Sequence, residues 1–156
     1  MSGAHLFLDT SALLRAYLTR EPYSRFVLEQ MQAANPNVVS RLAHLEMYSA
    51  LTQRQHRDHA ARVSPAQVAV LLADFERDWE TLAVVELSEG VMKRASRLIR
   101  SQTGAGLRSL DAIHLACALE AQRFWASLKV LTFDTRQAEV ARALGLNVLP
   151  LPSDPV

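Results

Sequence analysis

The feature that most constrains the fold is the regular alternation of short apolar runs with longer segments of helical periodicity. Apolar runs of strand length fall at about residues 5–8, 38–39, 82–87, 130–132 and 147–149. Helical spacing of apolar residues predicts helices at about 10–18, 22–34, 41–55, 64–81, 88–103, 107–123 and 135–144. Parallel strands need helical crossovers, so this order predicts an α/β fold, a three-layer α/β/α sandwich with a short parallel sheet.

Local signals set several helix boundaries. Ser64, Pro65 and Gln67 combine a capping hydroxyl, a proline at the first helical position and a capping-box glutamine. Pro22 is expected to open the second helix, and Gly145 to stop the last one. We find neither an internal repeat nor a linker, which predicts one domain over residues 1–150 and a C-terminal tail at 151–156.

Composition narrows the class of protein. No apolar run approaches the roughly 18 residues of a membrane span, and the first residues lack the basic region of a secretory signal, so we expect a cytoplasmic protein without membrane contact. The single Cys117 excludes an internal disulfide and a cysteine-based zinc site. A net charge of +1 does not by itself indicate a nucleic-acid substrate.

Two aspartates follow predicted strands. Asp9 ends the first strand, and Asp134 follows the strand that ends near Thr132. Open α/β folds carry out their chemistry beyond the carboxyl ends of the strands, so both are candidate site residues. Taken singly, each is explained equally well as the N-cap of the helix that follows it.

Two further acids lie within predicted helices. Glu46 shares a helical face with Leu42 and Leu45, which predicts that it points toward the apolar side. Asp111 lies near the start of the most apolar helix, where favourable interaction with the helix dipole is the alternative explanation. A carboxylate on an apolar face is costly unless it is paired or bound to a metal.

If these carboxylates converge, a cation must hold them together. Two carboxylates about 4 Å apart repel by about 4 kcal/mol at an effective dielectric constant near 20. Oxygen-only ligands favour Mg²⁺ or Mn²⁺ over zinc, and such an ion can activate water against a phosphodiester. Ser11 could then support Asp9, and Thr132 could support Asp134, as hydrogen-bond partners of the ligands.

Other polar residues give weaker signals. His114 lies one turn after Asp111, but a lone helical histidine is more often structural, so we leave it outside the catalytic set. Of the 17 basic residues 15 are arginine, which suits phosphate but equally follows from an arginine-favouring genome. Arg15, Arg41 and Arg108 are candidates for phosphate contacts.

Three short motifs resemble those of one known family. The segment LDTSALLRAYL at 8–18, followed by Glu21 and Pro22, is similar to the opening of VapC-type toxins of the PIN-domain family. LRSLDAIHLA at 107–116 and LTFD at 131–134 resemble that family's later acidic motifs. With Glu46 in LEMY at 45–48, all four acidic positions are matched in order, and the resemblance covers residues 6–148.

The resemblance implies a function and a set of partners. It implies a PIN-like fold and a Mg²⁺- or Mn²⁺-dependent endoribonuclease that leaves 5′-phosphate and 3′-hydroxyl ends. Asp9, Glu46, Asp111 and Asp134 would be its catalytic and metal-binding residues. It also implies a homodimer and a VapB-like antitoxin whose C-terminal segment wraps the toxin. Excess apolar residues on the helices predicted at 22–34 and 64–81 are consistent with such contacts.

Two alternatives stay open. The chain could be a non-catalytic PIN-like module that binds RNA or a protein, with its acids serving as caps. It could also be a PIN nuclease that acts on DNA or in housekeeping RNA processing without an antitoxin. Retention of all four acids argues against the first alternative, and a small upstream gene for a DNA-binding protein would argue against the second.

Overall fold

The computed structural model describes residues 3–56 and 62–155. Five strands alternate with seven α-helices in the described residues. The strands are β1 (Ala4–Leu8), β2 (Ala34–Ser40), β3 (Ala83–Val85), β4 (Lys129–Leu131) and β5 (Asn147–Val148). The helices are α1 (Thr10–Tyr17), α2 (Ser24–Ala33), α3 (Leu42–Gln53), α4 (Pro65–Trp79), α5 (Glu89–Ser101), α6 (Ser109–Phe124) and α7 (Thr135–Ala143). The predicted α/β order of elements is confirmed.

The strands form one parallel sheet in the order β3-β2-β1-β4-β5. β1 is central and pairs with β2 on one side and with β4 on the other. The chain first builds the sheet outward from β1 to β3 and then crosses to β4, so the strand order reverses beside β1. In open α/β sheets, ligands bind beyond the carboxyl ends of the strands at such a reversal.

Both faces of the sheet are covered by helices. Phe7, Val38 and Val130 belong to one buried cluster, which includes residues of α5, α6 and α7. Their neighbours Leu8, Val39 and Leu131 belong to a second cluster with residues of α1 to α4. Successive side chains of a strand point to opposite faces, so the two clusters are the two halves of a three-layer sandwich.

Helix boundaries follow the predicted signals with one clear exception. The capping box at Ser64 and Gln67 is present, with Pro65 as the first residue of α4. α2, however, begins at Ser24 rather than at Pro22. Tyr23 adopts a left-handed conformation with φ of 67°, which breaks the helical path directly after the proline. The backbone NH of Tyr23 donates instead to the carbonyl of Pro155 in the C-terminal tail.

The structure shows the surroundings of the single cysteine and the length of the described helices. Cys117 is fully buried in α6, and burial raises the pKa of its thiol to about 12. It is therefore an inert core residue. Within residues 3–56 and 62–155, no helix is long and apolar enough to cross a membrane.

Candidate active site

The four acids flagged by the sequence lie in elements that meet near the carboxyl ends of β1 and β4. Asp9 directly follows β1, and its backbone NH donates to the carbonyl of Leu131 at the end of β4. Asp134 comes three residues after that strand. Both aspartates also cap helices, Asp9 by accepting from the Ala12 amide at 3.0 Å and Asp134 from the Gln137 amide at 2.9 Å. Both aspartates therefore do cap helices, as the alternative explanation proposed. Capping uses only one oxygen of each carboxylate and leaves the second oxygen for other contacts.

Asp9 is the most buried of the four acids, with 3% of its surface exposed. Ser11 donates its hydroxyl to Oδ1 at 2.7 Å, and Thr132 donates to Oδ2 at 2.5 Å. Burial raises the pKa of Asp9, although the charge of His114 and the hydrogen bonds from Thr132, Ser11 and the Ala12 amide act in the opposite direction. The site therefore holds a carboxylate whose negative charge is incompletely compensated.

Thr132 connects Asp9 to Asp134 in a way that differs from the expectation. Its hydroxyl was expected to support the Asp134 side chain. Instead the hydroxyl donates to Asp9 and accepts from the backbone NH of Asp134 at 3.1 Å. Ser11 makes a parallel connection, because it donates to Asp9 and accepts from the backbone NH of Phe133 at 2.9 Å. The two hydroxyls fasten the segment after β4 to Asp9.

Glu46 reaches the site from α3, but not in the orientation that the sequence suggested. The buried face of α3 is formed by Ala43, Met47 and Leu51. Leu45 is 70% exposed, so the prediction that Glu46 points with an apolar face was wrong. The error has a physical cause: on a short helix beside a cleft, apolar residues occur on two faces and the periodicity does not say which one is covered.

Glu46 is held by a hydroxyl and an imidazole. Thr10 donates to its Oε1 at 2.6 Å, and the same oxygen is hydrogen-bonded to Nε2 of His114. The other ring nitrogen of His114 lies 3.0 Å from the hydroxyl of the fully buried Ser40. Burial acts to raise the pKa of Glu46, but the hydrogen bond and charge of His114, together with Thr10, outweigh it and hold the pKa below its usual value.

Asp111 and Asp134 share one arginine. The Nε of Arg108 donates to Oδ2 of Asp111 at 3.1 Å, and its NH2 group donates to Oδ2 of Asp134 at 3.4 Å. Asp111 lies in the first turn of α6 with only 9% of its surface exposed. Arg108 thus supplies the positive charge that lets these two carboxylates approach each other.

Whether the acids fit a metal ion depends on these basic partners. Across residues 3–56 and 62–155, no three Asp, Glu, His or Cys side chains are already arranged to hold an ion. The donor chemistry nevertheless suits Mg²⁺ or Mn²⁺, because the four side chains offer only oxygen. The buried Asp9 carboxylate forms no ion pair with the described basic side chains. The residues therefore fit an ion, provided that Arg108 and His114 give up part of their hold on the carboxylates.

The three arginines proposed for phosphate contacts have other partners here. The Arg15 guanidinium lies 4.0 Å from the centre of the Phe133 ring and donates to the carbonyls of Ser11 and Pro22. Arg41 forms an ion pair with Glu86. Arg108 bridges the two aspartates as described above. Of the three, only Arg108 is ion-paired with acids of the site, and it lines a cavity of about 640 Å³ with Asp134 and Arg136.

Three polar residues at the site were missed or set aside by the sequence analysis. Thr10 and Ser40 were not considered, and His114 was left outside the catalytic set. Thr10 follows Asp9 directly, and Ser40 ends β2 as Leu8 ends β1. Their positions at the ends of strands could therefore have marked them as candidate site residues. The pairing of His114 with both α3 and β2 depends on tertiary packing and had no local signal.

Comparison with known proteins assigns the family. A sequence profile of the PIN domain matches residues 6–143. The chain therefore belongs to the PIN domain family. No curated protein sequence matches it.

Solved structures with this fold include bacterial toxins and toxin–antitoxin complexes. FitAcB from Neisseria gonorrhoeae superposes with a TM-score of 0.68 at 16% identity, covering 93% of this chain and 96% of that one. VapC20 of Mycobacterium tuberculosis, described as a sarcin-ricin loop cleaving toxin, gives 0.65 at 15% identity over 90% and 95%. VapBC2 from Rickettsia felis gives 0.64 at 14% identity over 95% and 99%. At these identities, the likeness establishes the PIN-like fold.

Proposed function

We propose that this protein is a Mg²⁺- or Mn²⁺-dependent endoribonuclease and the toxin of a VapBC-type toxin–antitoxin pair. The observation that carries the proposal is that shared hydrogen-bond partners link Asp9 to Asp134 and Asp134 to Asp111 at the carboxyl edge of the sheet. Glu46 is hydrogen-bonded there to Thr10, which directly follows Asp9, and to His114 of α6. Caps and dipole effects explain single acids, but they do not explain why carboxylates from four separate segments, with Asp9 and Asp111 buried, gather at one edge.

Each residue has a defined task in this proposal. The four carboxylates hold the ion, and it supplies charge neutralisation at the phosphodiester and activation of the attacking water. Thr132 and Ser11 fix the orientation of Asp9, since each donates to a different oxygen of its carboxylate. Thr10 and His114 fix the orientation of Glu46, both through its Oε1 atom. Partners of this kind typically matter for metal affinity nearly as much as the ligands do.

The partners follow from the fold relatives. One solved structure with this fold is described as a toxin–antitoxin complex from Klebsiella pneumoniae, and VapC20 is described as a sarcin-ricin loop cleaving toxin; they cover 85% and 90% of this chain. This supports a VapB-like antitoxin as protein partner and RNA as substrate, and we propose a homodimer as the assembly because the family resemblance implies one. The nuclease domain at 1–150 would carry all of these functions, with residues 151–156 as a tail.

Cleavage of end-labelled total RNA by the purified protein tests the catalytic part. We expect discrete cuts with Mg²⁺ or Mn²⁺, ending in 5′-phosphate and 3′-hydroxyl groups, and none with EDTA or with Asp9→Asn. Asp74→Asn is the matched control, because Asp74 is an acid on α4 that is ion-paired with Arg77. Cuts that persist in EDTA or in Asp9→Asn would refute the metal-dependent mechanism.

The toxin part has its own test. Induced expression in a bacterial host should arrest growth, Asp9→Asn should not, and co-expression of the product of a small adjacent gene should restore growth. Metal-dependent RNA cleavage without growth arrest would favour a PIN nuclease of RNA processing. Failure to cut RNA, combined with RNA binding that needs no metal, would favour the non-catalytic module.

A further inference from the structure

The outer face of α5 is basic. α5 carries four basic residues and one acid, a net charge of +3 in a chain whose net charge is +1. Its buried residues, Val91, Ala95 and Leu98, pack into the core. Lys93, Arg97 and Arg100 are exposed, and their spacing of four and three residues places them in one row on the opposite face. We call this row the basic face of α5.

Arg97 and Arg100 lack the acidic partners that several other surface arginines have. Arg25, Arg77 and Arg123 are each paired with an acid three or four residues away on their own helices. In the described part of the chain, Arg97 and Arg100 form no ion pair or hydrogen bond, whereas Lys93 pairs with Glu89. Like charges at this spacing repel and weaken a helix. Attraction of Arg100 to the helix C-terminus explains one of them but not Arg97, which is a turn further back.

The C-terminal end of the basic face lies close in sequence to residues that line the acidic site. α5 ends at Ser101, and Gly104 and Ala105 line the same cavity as Arg108 and Asp134. The four residue-to-residue steps from Arg100 to Gly104 span at most about 14 Å. Successive side chains of the row are separated by about 4.5–6 Å along the helix axis, which is close to the spacing of phosphates in a nucleic-acid strand.

We propose that the basic face of α5 binds the phosphate backbone of the RNA whose scissile bond lies at the acidic site. This inference rests on the proposed function, since it names a docking surface for the same substrate. Phosphate contacts position a strand and carry no sequence information, so the face adds affinity rather than specificity. It also offsets the negative charge of the four carboxylates, which would otherwise repel a polyanion.

Salt-dependent RNA binding tests the proposal. The parent is the Asp9→Asn protein, which should bind without cutting, and the probe is a fluorescein-labelled single-stranded oligouridylate of about 20 nucleotides, long enough for several phosphate contacts. Fluorescence anisotropy gives the dissociation constant at several KCl concentrations. Arg97→Ala/Arg100→Ala should weaken binding and make the slope of log affinity against log salt shallower by about 1.4, at about 0.7 per lost phosphate contact.

Two variants separate docking from general charge. Arg25→Ala/Arg77→Ala removes the same charge from α2 and α4, where each arginine has an acidic partner, and should leave the slope unchanged. Arg97→Lys/Arg100→Lys should retain most of the affinity. The proposal is overturned if the α5 alanine pair binds like the parent, if both alanine pairs lose affinity equally, or if the parent does not bind the probe. Metal-dependent cleavage of total RNA by the unsubstituted protein distinguishes such a failure from failure of the proposed function.

Discussion

The Nε2 atom of His114 is hydrogen-bonded to Oε1 of Glu46, and this contact joins α6 to α3 beside the acidic site. The imidazole is 3% exposed and is fixed on its other side by Ser40. Its hydrogen bond and charge help to lower the pKa of Glu46, and its charge partly offsets the burial that raises the pKa of Asp9. His114 is therefore a positioning residue shared by two of the proposed metal ligands.

Replacing His114 should weaken metal binding more than folding. We expect His114→Ala to reduce Mn²⁺ affinity by about 10- to 100-fold, the usual effect of losing a group that orients a ligand. His114→Gln, which can still donate to Glu46, should recover part of the loss. Isothermal titration with Mn²⁺ measures both. An alanine variant that is folded and binds Mn²⁺ like the parent would contradict the positioning role.

The same contact predicts a change in acid stability. His114 helps to hold the pKa of Glu46 below its usual value, so Glu46 stabilises the fold at pH values above its unfolded pKa of about 4.3. This contribution is lost as the pH falls through the lower, folded pKa. In His114→Ala it should disappear, because burial of Glu46 remains while the compensation is gone. Urea unfolding between pH 3 and pH 7, roughly the range over which the carboxylates titrate, measures the difference.

Asp9→Asn should keep the fold and be at least as stable as the parent without metal. Burial raises the pKa of Asp9, so its ionised form opposes folding. This pKa is above the unfolded value, so the stability linked to Asp9 is present at low pH and is lost as the pH rises through the folded pKa. The advantage of the asparagine should therefore grow with pH and vanish near pH 3. Asparagine also retains an acceptor for the Ala12 amide. A loss of several kcal/mol at neutral pH would mean that Asp9 is mainly structural.

Thr132→Val isolates the hydroxyl that serves both Asp9 and the Asp134 amide. Valine has nearly the same shape, so the change removes the hydroxyl and leaves buried polar groups without a partner, at a cost of about 1–3 kcal/mol. The exposed Thr52 on α3 offers the matched control, and Thr52→Val should change the free energy of unfolding by less than about 0.5 kcal/mol. Equal effects in the two variants would show that Thr132 has no special role.

The fold was largely predictable from sequence because each local signal agreed with the global arrangement. The order of strands and helices along the chain followed from the apolar periodicity, and the positions of Asp9 and Asp134 followed from the strands that precede them. The start of α2 was not predictable, because Tyr23 adopts a left-handed conformation although it is neither glycine nor asparagine, the residues that usually do so. The prediction of the orientation of Glu46 was wrong for a different reason. It depends on which face of α3 the rest of the protein covers, and that is decided by residues far away in sequence.

Partners of the acids were the least predictable feature. Arg108 was flagged only as a possible phosphate contact, yet it lies between Asp111 and Asp134. Its two bonds join residues three and 26 positions away, and only the nearer one has a helical spacing. The connection from Thr132 to Asp9 spans 123 positions and exists only because β1 and β4 are neighbours.

Arg108 should compete with the metal ion. It neutralises Asp111 and Asp134 from a largely exposed position, with 69% of its side chain accessible. Arg108→Ala should therefore tighten Mn²⁺ binding several-fold, because an exposed ion pair contributes about 0.2–1 kcal/mol. Arg136→Ala removes the same charge from the same cavity without touching either aspartate through a hydrogen bond, and should have the smaller effect. Weaker Mn²⁺ binding in Arg108→Ala would mean that the arginine supports the ligands rather than competing for them.

The central claim is that Asp9, Glu46, Asp111 and Asp134 form one metal site, and Mn²⁺ titration of single and double variants tests it most directly. Asp9→Asn, Glu46→Gln, Asp111→Asn and Asp134→Asn should each weaken Mn²⁺ binding, and double variants should lose much less than the sum of the single losses, because residues that share a site act as a unit. Asp74→Asn, an acid on α4 outside the site, should bind Mn²⁺ like the parent. Unchanged Mn²⁺ affinity in all four single variants, or strictly additive losses in the double variants, would contradict the claim.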